Sequence, residues 1–265
     1  MHADSHYVIG HDHTVCQDYA THWRRKDGSI VAAMADGCST APDTDVGARL
    51  LVLAAKTNLF VGLQNLEGPV IQEIPAPPGD RGLDYRAFRA TLGVVVANAD
   101  GAQVRLWGDG VVLALRHTGE VDAVVVNYDE GAPPYLSYKK YPEEVEAYRE
   151  LSKNGAHTMT FIERGQVAGV RKGTNPNLES LDLSYPASIY KMVAVCSDGL
   201  LSVYGPSGAV PYLDVVLQVG AILNTSGEFV VRKLRNGLPK FLKKLGAVHA
   251  DDVSMAAVVL DGGAA

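Results

Sequence analysis

Two short apolar runs, far apart in the chain, each end on Asp-Gly, and this feature limits the possible folds more than any other. Residues 31–38 read VAAMADGC and residues 193–199 read VAVCSDG. Runs as apolar as these predict buried strands. An Asp-Gly at the end of a buried strand brings a carboxylate to the edge of a sheet, but Asp-Gly is also the preferred two-residue turn of a β-hairpin. The flanking residues have to separate these two interpretations.

Asp-Gly occurs six times in the chain, and the pairs fall into two groups. Strand-like runs flank Asp27 and Asp100 on both sides, which predicts hairpin turns. After Asp36 the chain continues with GCSTAPDTD, and after Asp198 with GLLSVYGPSG. Neither pair leads straight back into a strand, so both favour a functional site over a simple turn. Asp109, in WGDG, lies between two apolar segments.

Composition excludes several classes of protein. The chain has 265 residues, 47% hydrophobic and 20% charged, with a formal net charge of −6. This acidic balance argues against nucleic-acid and anionic-membrane binding. No apolar run approaches the roughly 20 residues that span a bilayer, and the first residues lack the pattern of a signal peptide. Three cysteines cannot all pair, so we expect a reducing cytoplasm.

Strand-like and helix-like segments alternate and predict a mixed α+β fold. Strand-like runs occupy 30–35, 91–97, 102–107, 111–116, 121–127 and 253–260, and helical spacing occupies 43–63, 142–155, 210–223 and 228–246. The first helix is indicated by apolar residues near helical spacing: Val46, Leu50, Leu53, Ala54 and Phe60. Residues 66–84 and 164–186, which are polar or rich in Pro and Gly, predict loops.

Further aspartates stand beside predicted strands. Asp18 precedes a strand that starts at Tyr19, and Asp251 and Asp252 come directly before the last strand. Carboxylates gathered in one place repel one another unless they are protonated or neutralised by cations. Oxygen ligands suit Mg²⁺ or Mn²⁺, and a glycine beside a ligand leaves its own carbonyl accessible. The sequence therefore indicates a divalent-cation site.

Six segments, in order, carry a family resemblance: HTVCQD at 13–18, VAAMADGCS at 31–39, ATL at 90–92, LWGDG at 106–110, VAVCSDGLL at 193–201 and DDVSMAAVVL at 251–260. The set resembles the metal-dependent protein phosphatases of type 2C, and its wording is similar to a bacterial subgroup. The resemblance implies one phosphatase-like domain over residues 1–265. The implied fold is an α+β, four-layer α/β/β/α sandwich with two central, mostly antiparallel sheets flanked by helices.

The resemblance also implies roles for individual residues. It assigns Asp36 as the bridge between two cations, with Gly37 offering its carbonyl. It assigns Asp198 and Asp251 as ligands of single cations, and Asp18 as the support of metal-bound water. Asp109 matches an aspartate that helps to hold a third ion in some members. The implied cofactors are two or three Mg²⁺ or Mn²⁺ ions, and the implied reaction is hydrolysis of serine or threonine phosphate esters without a covalent intermediate.

Three positions depart from the family pattern. Gln17 stands where many members have a glutamate that contacts one metal, and a neutral amide weakens such a site. His13 stands where many members have an arginine that binds the substrate phosphate; when protonated it is a candidate phosphate contact. Cys38 replaces a histidine proposed as a general acid in some members. We expect metal-bound water to donate that proton.

Three other interpretations remain open. A zinc site could draw on His11, His13, Cys16, Cys38 and Cys196, although the usual paired spacing is missing. Catalysis by a Cys38 nucleophile lacks an activating base in the sequence. A pseudophosphatase that binds a phosphoprotein with weak or no turnover is the alternative from a different class, motivated by Gln17 and by the missing arginine.

The resemblance identifies the expected partner only by class. It implies a protein phosphorylated on serine or threonine, the target of a bacterial kinase, and neither nucleic acid nor a membrane. Residues 131–176 lie where the family carries a variable flap beside the active site. We expect this region to help select the phosphoprotein; the alternative is a surface hairpin and helix without a role in specificity.

Overall fold

The computed structural model describes residues 1–75 and 82–261. In this part of the chain the strands are β1 (His2–Val8), β2 (Asp18–Arg24), β3 (Ile30–Gly37), β4 (Ala90–Asn98), β5 (Gly101–Trp107), β6 (Gly110–Arg116), β7 (Val121–Tyr128), β8 (His157–Glu163), β9 (Gln166–Gly173), β10 (Leu181–Pro186), β11 (Tyr190–Cys196), β12 (Val203–Gly205), β13 (Gly208–Ala209), β14 (Val248–His249) and β15 (Val253–Val259). The α-helices are α1 (Thr44–Asn58), α2 (Glu67–Glu73), α3 (Pro142–Leu151), α4 (Tyr212–Gly220), α5 (Phe229–Arg232) and α6 (Leu238–Leu245), and a π-helical turn, Lys233–Gly237, joins α5 to α6.

Two large antiparallel sheets stack face to face. One has seven strands in the order β1-β15-β11-β6-β7-β8-β9, and the other has five in the order β10-β5-β4-β3-β2. Alternate side chains of both sheets fill the space between them, among them Met34, Val95, Val195 and Val258. The strands of such a sandwich are buried on both faces, which is why their sequences read as unbroken apolar runs.

Helices cover the outer faces of the two sheets. Leu51 and Val52 of α1 pack with Val31 of the five-stranded sheet, while Val215 of α4 and Phe229 of α5 pack in the core of the seven-stranded sheet. Three apolar layers therefore separate four structural layers, and the predicted α/β/β/α sandwich is confirmed. A small sheet, β13-β12-β14, lies beside α4 and α6.

The apolar residues at helical spacing mark the buried face of α1 only in part. Val46 and Leu53 are exposed, as is Phe60 just beyond the helix, whereas Ala54 is buried together with Gly47 and Ala48. The helix lies so close to its neighbours that a Cβ on Gly47 would stand 1.7 Å from the carbonyl oxygen of Ala87. Small residues thus define the contact face of α1, and a count of large apolar residues misplaces it.

The two predicted loops contain regular structure. Region 66–84 includes α2, and its residues 76–81 fall outside the described residues. Region 164–186 contains β9 and β10, which pair with β8 and β5. β9 is an edge strand with mostly exposed side chains, so it lacks the apolar alternation by which strands are recognised.

Two observations bear on the setting of the chain. Within residues 1–75 and 82–261, none of the helices has the length and apolar character required to cross a membrane. Cys16, Cys38 and Cys196 are all free thiols.

Candidate metal centre

Three carboxylates meet where the five-stranded sheet ends beside β6. Asp18 of β2 is paired directly with Asp36 of β3, and Asp36 is paired in turn with Thr91 of β4. The hydroxyl of Thr91 donates a hydrogen bond of 2.9 Å to Asp109 Oδ1, and Asp109 stands immediately before the first residue of β6. Strand register therefore delivers all three side chains to one end of the sandwich.

The other two predicted ligands arrive from the opposite sheet. Asp198 follows β11 and Asp251 precedes β15, and these two strands are neighbours. The charge of Asp198 raises the pKa of Asp36, of Asp109 and of Asp251. The five aspartates to which the resemblance assigns a role therefore stand at the same end of the sandwich and act on one another electrostatically.

Burial dominates the electrostatics of this cluster. It raises the pKa of Asp18 to about 7. Burial, followed by the charge of Asp198, raises the pKa of Asp109 to about 8. The pKa of Asp36 lies well above its usual range because of burial and then the charges of Asp18 and Asp198. Without a counter-charge, the folded chain holds these carboxyls partly protonated.

The surroundings of Asp18 test whether a cation fits here. Its side chain is 1% exposed, and neither of its carboxylate oxygens has a hydrogen-bond partner. The Ser197 and Ser254 hydroxyls are near enough to lower its pKa, although neither makes a hydrogen bond to it: Ser197 Oγ donates to the Asp252 carbonyl at 3.5 Å, and Ser254 Oγ has no hydrogen-bond partner. An unpartnered buried carboxylate is costly, and a divalent cation would neutralise it together with its neighbours. The donor set of carboxylate oxygens therefore fits Mg²⁺ or Mn²⁺.

The glycines of the two site Asp-Gly pairs allow close backbone packing. A Cβ on Gly37 would lie 2.8 Å from Thr44 Cβ, and a Cβ on Gly199 would lie 1.8 Å from the carbonyl oxygen of Asp252. Gly37 is buried at the end of β3, where its amide donates to the Gln17 carbonyl at 3.2 Å. Only glycine fits at these two positions, so each glycine sets the place of the aspartate before it.

Asp252 organises the loop between β1 and β2. Its side chain is 2% exposed and accepts the backbone amides of Gly10, at 2.7 Å, and Gln17, at 2.6 Å. The Gln17 side chain turns to the start of α1, where its amide donates to Thr44 Oγ1 at 2.6 Å. The same hydroxyl donates to the Cys38 carbonyl at 3.1 Å. The described contacts of Gln17 therefore position this loop.

His13 sits between the two adjacent aspartates. Its Nδ1 lies 3.0 Å from Asp252 Oδ2 and its Nε2 lies 3.4 Å from Asp251 Oδ1. Burial alone would lower the pKa of His13, but the hydrogen bond and charge of Asp252, with the charge of Asp251, outweigh burial and raise it. The positive form is thus favoured beside the carboxylate cluster, as a phosphate contact requires.

The described contacts of the cysteines bear on the zinc and nucleophile alternatives. In residues 1–75 and 82–261, His13, Asp251 and Asp252 form the group of three ligand atoms within 4.8 Å of one another, and it contains no cysteine. Cys196 is fully buried in the apolar core. Burial raises the pKa of the Cys16 thiol to about 12. The partner of Cys38 Sγ is the hydroxyl oxygen of Thr40, at 3.2 Å, and this hydroxyl is not a base. These contacts support neither a cysteine-containing zinc site nor a cysteine nucleophile, and of the five assigned aspartates the ligand group contains Asp251.

Sequence reasoning missed several residues around the centre. Asp252 follows Asp251, and Thr91 lies in the ATL segment, but the contacts of Asp252 come from a distant loop and those of Thr91 from strand pairing, which the local sequence does not show. Tyr135 is 7% exposed and lies within electrostatic reach of Asp36 and Asp109. Nothing in the surrounding PPYLS pattern marks it, because a buried tyrosine and a surface tyrosine look alike in a single sequence.

The predicted flap region divides into two parts. Residues 157–173 form the β8–β9 hairpin, which extends the seven-stranded sheet. The segment 129–151 folds back over the centre as short helical turns and α3. It is tied down by Glu144 of α3, which accepts from Arg89 Nη2 at 2.5 Å and from the Tyr85 hydroxyl at 2.9 Å. This segment therefore forms a wall beside the carboxylates.

Comparison with known proteins places this geometry in a family. The family model "Protein phosphatase 2C" matches residues 5–243. A bacterial serine phosphatase shares the fold with a TM-score of 0.59 at 11% identity, covering 99% of both chains. Serine/threonine phosphatase Stp1 from Staphylococcus aureus gives 0.61 at 11% identity, covering 98% of this chain and 95% of that one.

The serine/threonine phosphatase PstP/Ppp of Mycobacterium tuberculosis gives a TM-score of 0.54 at 15% identity, with 98% of each chain covered. None of the curated proteins compared with the chain matched it. The solved structures share the architecture at low identity, and the family model covers most of the sequence. The chain belongs to the protein phosphatase 2C family.

Proposed function

We propose that this chain is a metal-dependent serine/threonine phosphoprotein phosphatase. One observation carries the proposal: five aspartates from both sheets converge on one end of the sandwich, where Asp18 is buried with both oxygens unpartnered. Such a cluster does not stabilise the fold, because buried carboxylates without a counter-charge are destabilising. A site for divalent cations explains why the cluster is kept.

The residues divide between holding cations and orienting the substrate. Asp36, Asp198 and Asp251, with the Gly37 carbonyl, would hold two ions, and Asp109 would help to hold a third. Bound Mg²⁺ or Mn²⁺ would lower the pKa of a water molecule and neutralise charge on the phosphoryl oxygens. Asp18 would accept hydrogen bonds from water at the centre, since neither of its carboxylate oxygens has a hydrogen-bond partner.

His13 would supply a positive side chain beside this cluster. Its Nδ1 lies 3.0 Å from Asp252 Oδ2, and Asp252 holds the loop that carries it. The imidazolium binds a phosphoryl oxygen of the substrate, the place that an arginine takes in many relatives. Thr91 holds Asp109 through its hydroxyl, which keeps that carboxylate turned toward Asp198.

Hydrolysis of an aryl phosphate and of a phosphothreonine peptide tests the proposal. We expect turnover with Mn²⁺ or Mg²⁺, none with chelator, and a loss of at least about a hundredfold in kcat for Asp36→Asn. Asp100→Asn is the matched control, because Asp100 belongs to the hairpin Asp-Gly between β4 and β5. Turnover that ignores the metal, or that Asp36→Asn leaves intact, would refute the proposal.

A binding protein without turnover is the second candidate. It is favoured by Gln17, whose amide is engaged with Thr44. Phosphopeptide binding with no metal-dependent hydrolysis would establish this candidate. The variant Gln17→Glu then tests why hydrolysis is absent. A gain of turnover would show that the missing carboxylate at position 17 limits hydrolysis.

The proposed substrate is a protein phosphorylated on serine or threonine by a kinase. A cytoplasmic setting is part of the same proposal, and three free thiols support it, because unpaired cysteines are typical of reducing compartments.

A further inference from the structure

A strongly basic segment stands out on this acidic chain. Between Phe229 and Ala250 there is no acidic residue, although the formal net charge of the whole chain is −6. The segment carries six basic residues: Arg232, Lys233, Arg235, Lys240, Lys243 and Lys244. Among the described residues, no carboxylate lies within 4.0 Å of any of these six side chains. The positive charge is therefore not compensated by salt bridges.

The lysines of α6 line up beside an apolar row. Leu242 is buried and anchors the helix to the core. Phe241 and Leu245 are one turn apart, and so are Lys240 and Lys244, so each pair forms a row along the helix. The two rows are adjacent, because consecutive residues lie 100° apart around a helix. The face of α6 away from the core is thus apolar on one side and cationic on the other.

The apolar row forms one wall of a surface groove of about 520 Å³. The opposite wall consists of the β12–β13 hairpin and α4, and its apolar contacts are Val210, Pro211 and Leu217. Asp214 and Gln218 of α4 are the polar side chains that line it besides Ser207. Lys240 and Lys244 do not line the groove but form the next row along α6, beside Phe241 and Leu245. We call the groove together with this lysine row the basic groove.

More apolar surface is exposed next to the basic groove. Tyr204 and Val248 are cross-strand partners in β12 and β14, and they are 52% and 43% exposed. Leu245 in the groove is 42% exposed. Exposed apolar residues that adjoin one another and are edged by charge are typical of a protein interaction site rather than of bare surface.

We propose that the basic groove binds an acidic amphipathic helix of a partner protein. A helix laid in a groove buries apolar anchors one turn apart, and acidic residues along its edge would meet Lys240 and Lys244. The concave apolar floor favours this occupant. A membrane surface requires apolar side chains that protrude, and a nucleic-acid backbone gains little from an apolar groove.

Binding of a labelled Leu/Glu amphipathic peptide to the full chain tests the proposal. We expect binding by fluorescence anisotropy that weakens as salt is raised, and no binding of a scrambled peptide of the same composition. The double change Lys240→Glu with Lys244→Glu should weaken affinity by about tenfold or more. The control double change is Lys26→Glu with Lys172→Glu, which reverses two exposed lysines elsewhere.

Two further arms make the outcome decisive. Leu245→Ser tests the apolar row without changing charge, and it should weaken peptide binding while the thermal unfolding transition stays within a few degrees. Phosphatidylglycerol vesicles and a DNA duplex replace the peptide in parallel titrations. Three outcomes would overturn the proposal. The two lysine double changes could weaken affinity equally, the scrambled peptide could bind as well as the amphipathic one, or the vesicles or duplex could bind in place of the peptide. None of these readouts needs hydrolysis, so their failure is separate from failure of the proposed function.

Discussion

At the scale of single residues, the glycine of each site Asp-Gly pair matters as much as the aspartate. Gly199 lies against the carbonyl of Asp252 and Gly37 lies against Thr44 and Gln17, so a side chain at either position would push the ligand segments apart. The two hairpin pairs differ from each other. At Gly28, where the backbone φ is +86°, a Cβ would meet nothing within 4 Å, so this glycine serves turn geometry alone. At Gly101, where φ is +154°, a Cβ would lie 2.2 Å from the carbonyl oxygen of Tyr185, so this glycine also allows close packing.

Gly199→Ala should destabilise the protein by about 3 kcal/mol or more, because its Cβ would lie 1.8 Å from a backbone oxygen that cannot move away. Gly68→Ala in α2 is the control. Its Cβ meets nothing within 4 Å, and helix propensity makes it neutral or stabilising by up to about 1 kcal/mol. Urea unfolding measures both; equal effects would contradict the packing argument.

The position of each carboxylate on its strand was readable from the sequence, whereas its surroundings were not. Asp36 and Asp198 could be separated from the turn residues because neither is succeeded by a strand-like run. Asp252 could not be assigned, because its two backbone donors come from a loop more than two hundred residues away in sequence. Long-range contacts of this kind leave no local pattern.

Asp122 carries a pH prediction away from the centre. Burial alone would raise its pKa, but hydrogen bonds from Arg116, the Arg164 amide and Tyr190 lower it below the usual value. The carboxyl of Asp122 thus binds a proton more tightly in the unfolded chain than in the folded one. The ionised carboxylate therefore stabilises the fold above about pH 4, and this contribution is lost as the pH falls through the folded pKa.

Asp122→Asn should therefore lower the free energy of unfolding by about 1–3 kcal/mol at neutral pH, and by less in acid. Urea titrations at a series of pH values check this difference, with the exposed Asp100→Asn as control. A loss that does not shrink in acid would contradict the assignment of the charge.

At the scale of elements, one carboxylate of α3 joins the helix to the chain before β4, while Arg149 donates to the Pro176 carbonyl at 3.0 Å. Glu144 accepts from Arg89 and Tyr85, and Arg89 also lies 5.6 Å from the ring centre of Tyr138. Lys139 adds an ion pair to Glu67 of α2 at 2.6 Å. The wall beside the metal centre therefore depends on polar contacts with α2 and with the chain before β4.

Glu144→Ala should loosen this wall. We expect faster amide exchange in 136–151 and a larger change in KM for a phosphopeptide than in kcat for an aryl phosphate, because only the larger substrate reaches the wall. Glu150→Ala is the control, since Glu150 is exposed on the same helix. Exchange rates that are the same in both variants would show that Glu144 does not hold α3.

The elements that sequence reasoning identified are those with strong periodicity. The helices at 142–155 and 210–223 and the hairpins around Asp27 and Asp100 are all present. β9 was missed because it is an edge strand with solvent on both sides, and α2 because Gly68 and Pro69 read as a loop. β9 is held in place by pairing with β8, and α2 is held by packing against α1.

At the scale of the whole molecule, the carboxylate cluster makes stability depend on pH. The pKa of Asp18 is raised to about 7 and that of Asp109 to about 8. In the metal-free protein the folded state holds these protons more tightly than the unfolded chain. Its stability therefore falls as the pH rises from about 4 through this range.

With chelator, the thermal unfolding temperature should be higher at pH 6 than at pH 8. With Mn²⁺ the order should reverse, because cations displace the protons and, at a hundredfold excess over the dissociation constant, add about 2.7 kcal/mol for each site. Asp18→Asn should flatten the pH dependence in chelator. An identical pH trend with and without Mn²⁺ would contradict a shared centre.

The most direct test of the account is a calorimetric titration of the metal-free chain with Mn²⁺, which counts ions without reference to any substrate. The carboxylate cluster predicts at least two ions for each chain, an unchanged count for Asp100→Asn, and a lower count for Asp36→Asn, the aspartate between the two sheets. If wild type binds no Mn²⁺, or if Asp36→Asn binds as many ions as wild type, the five aspartates do not form a metal centre.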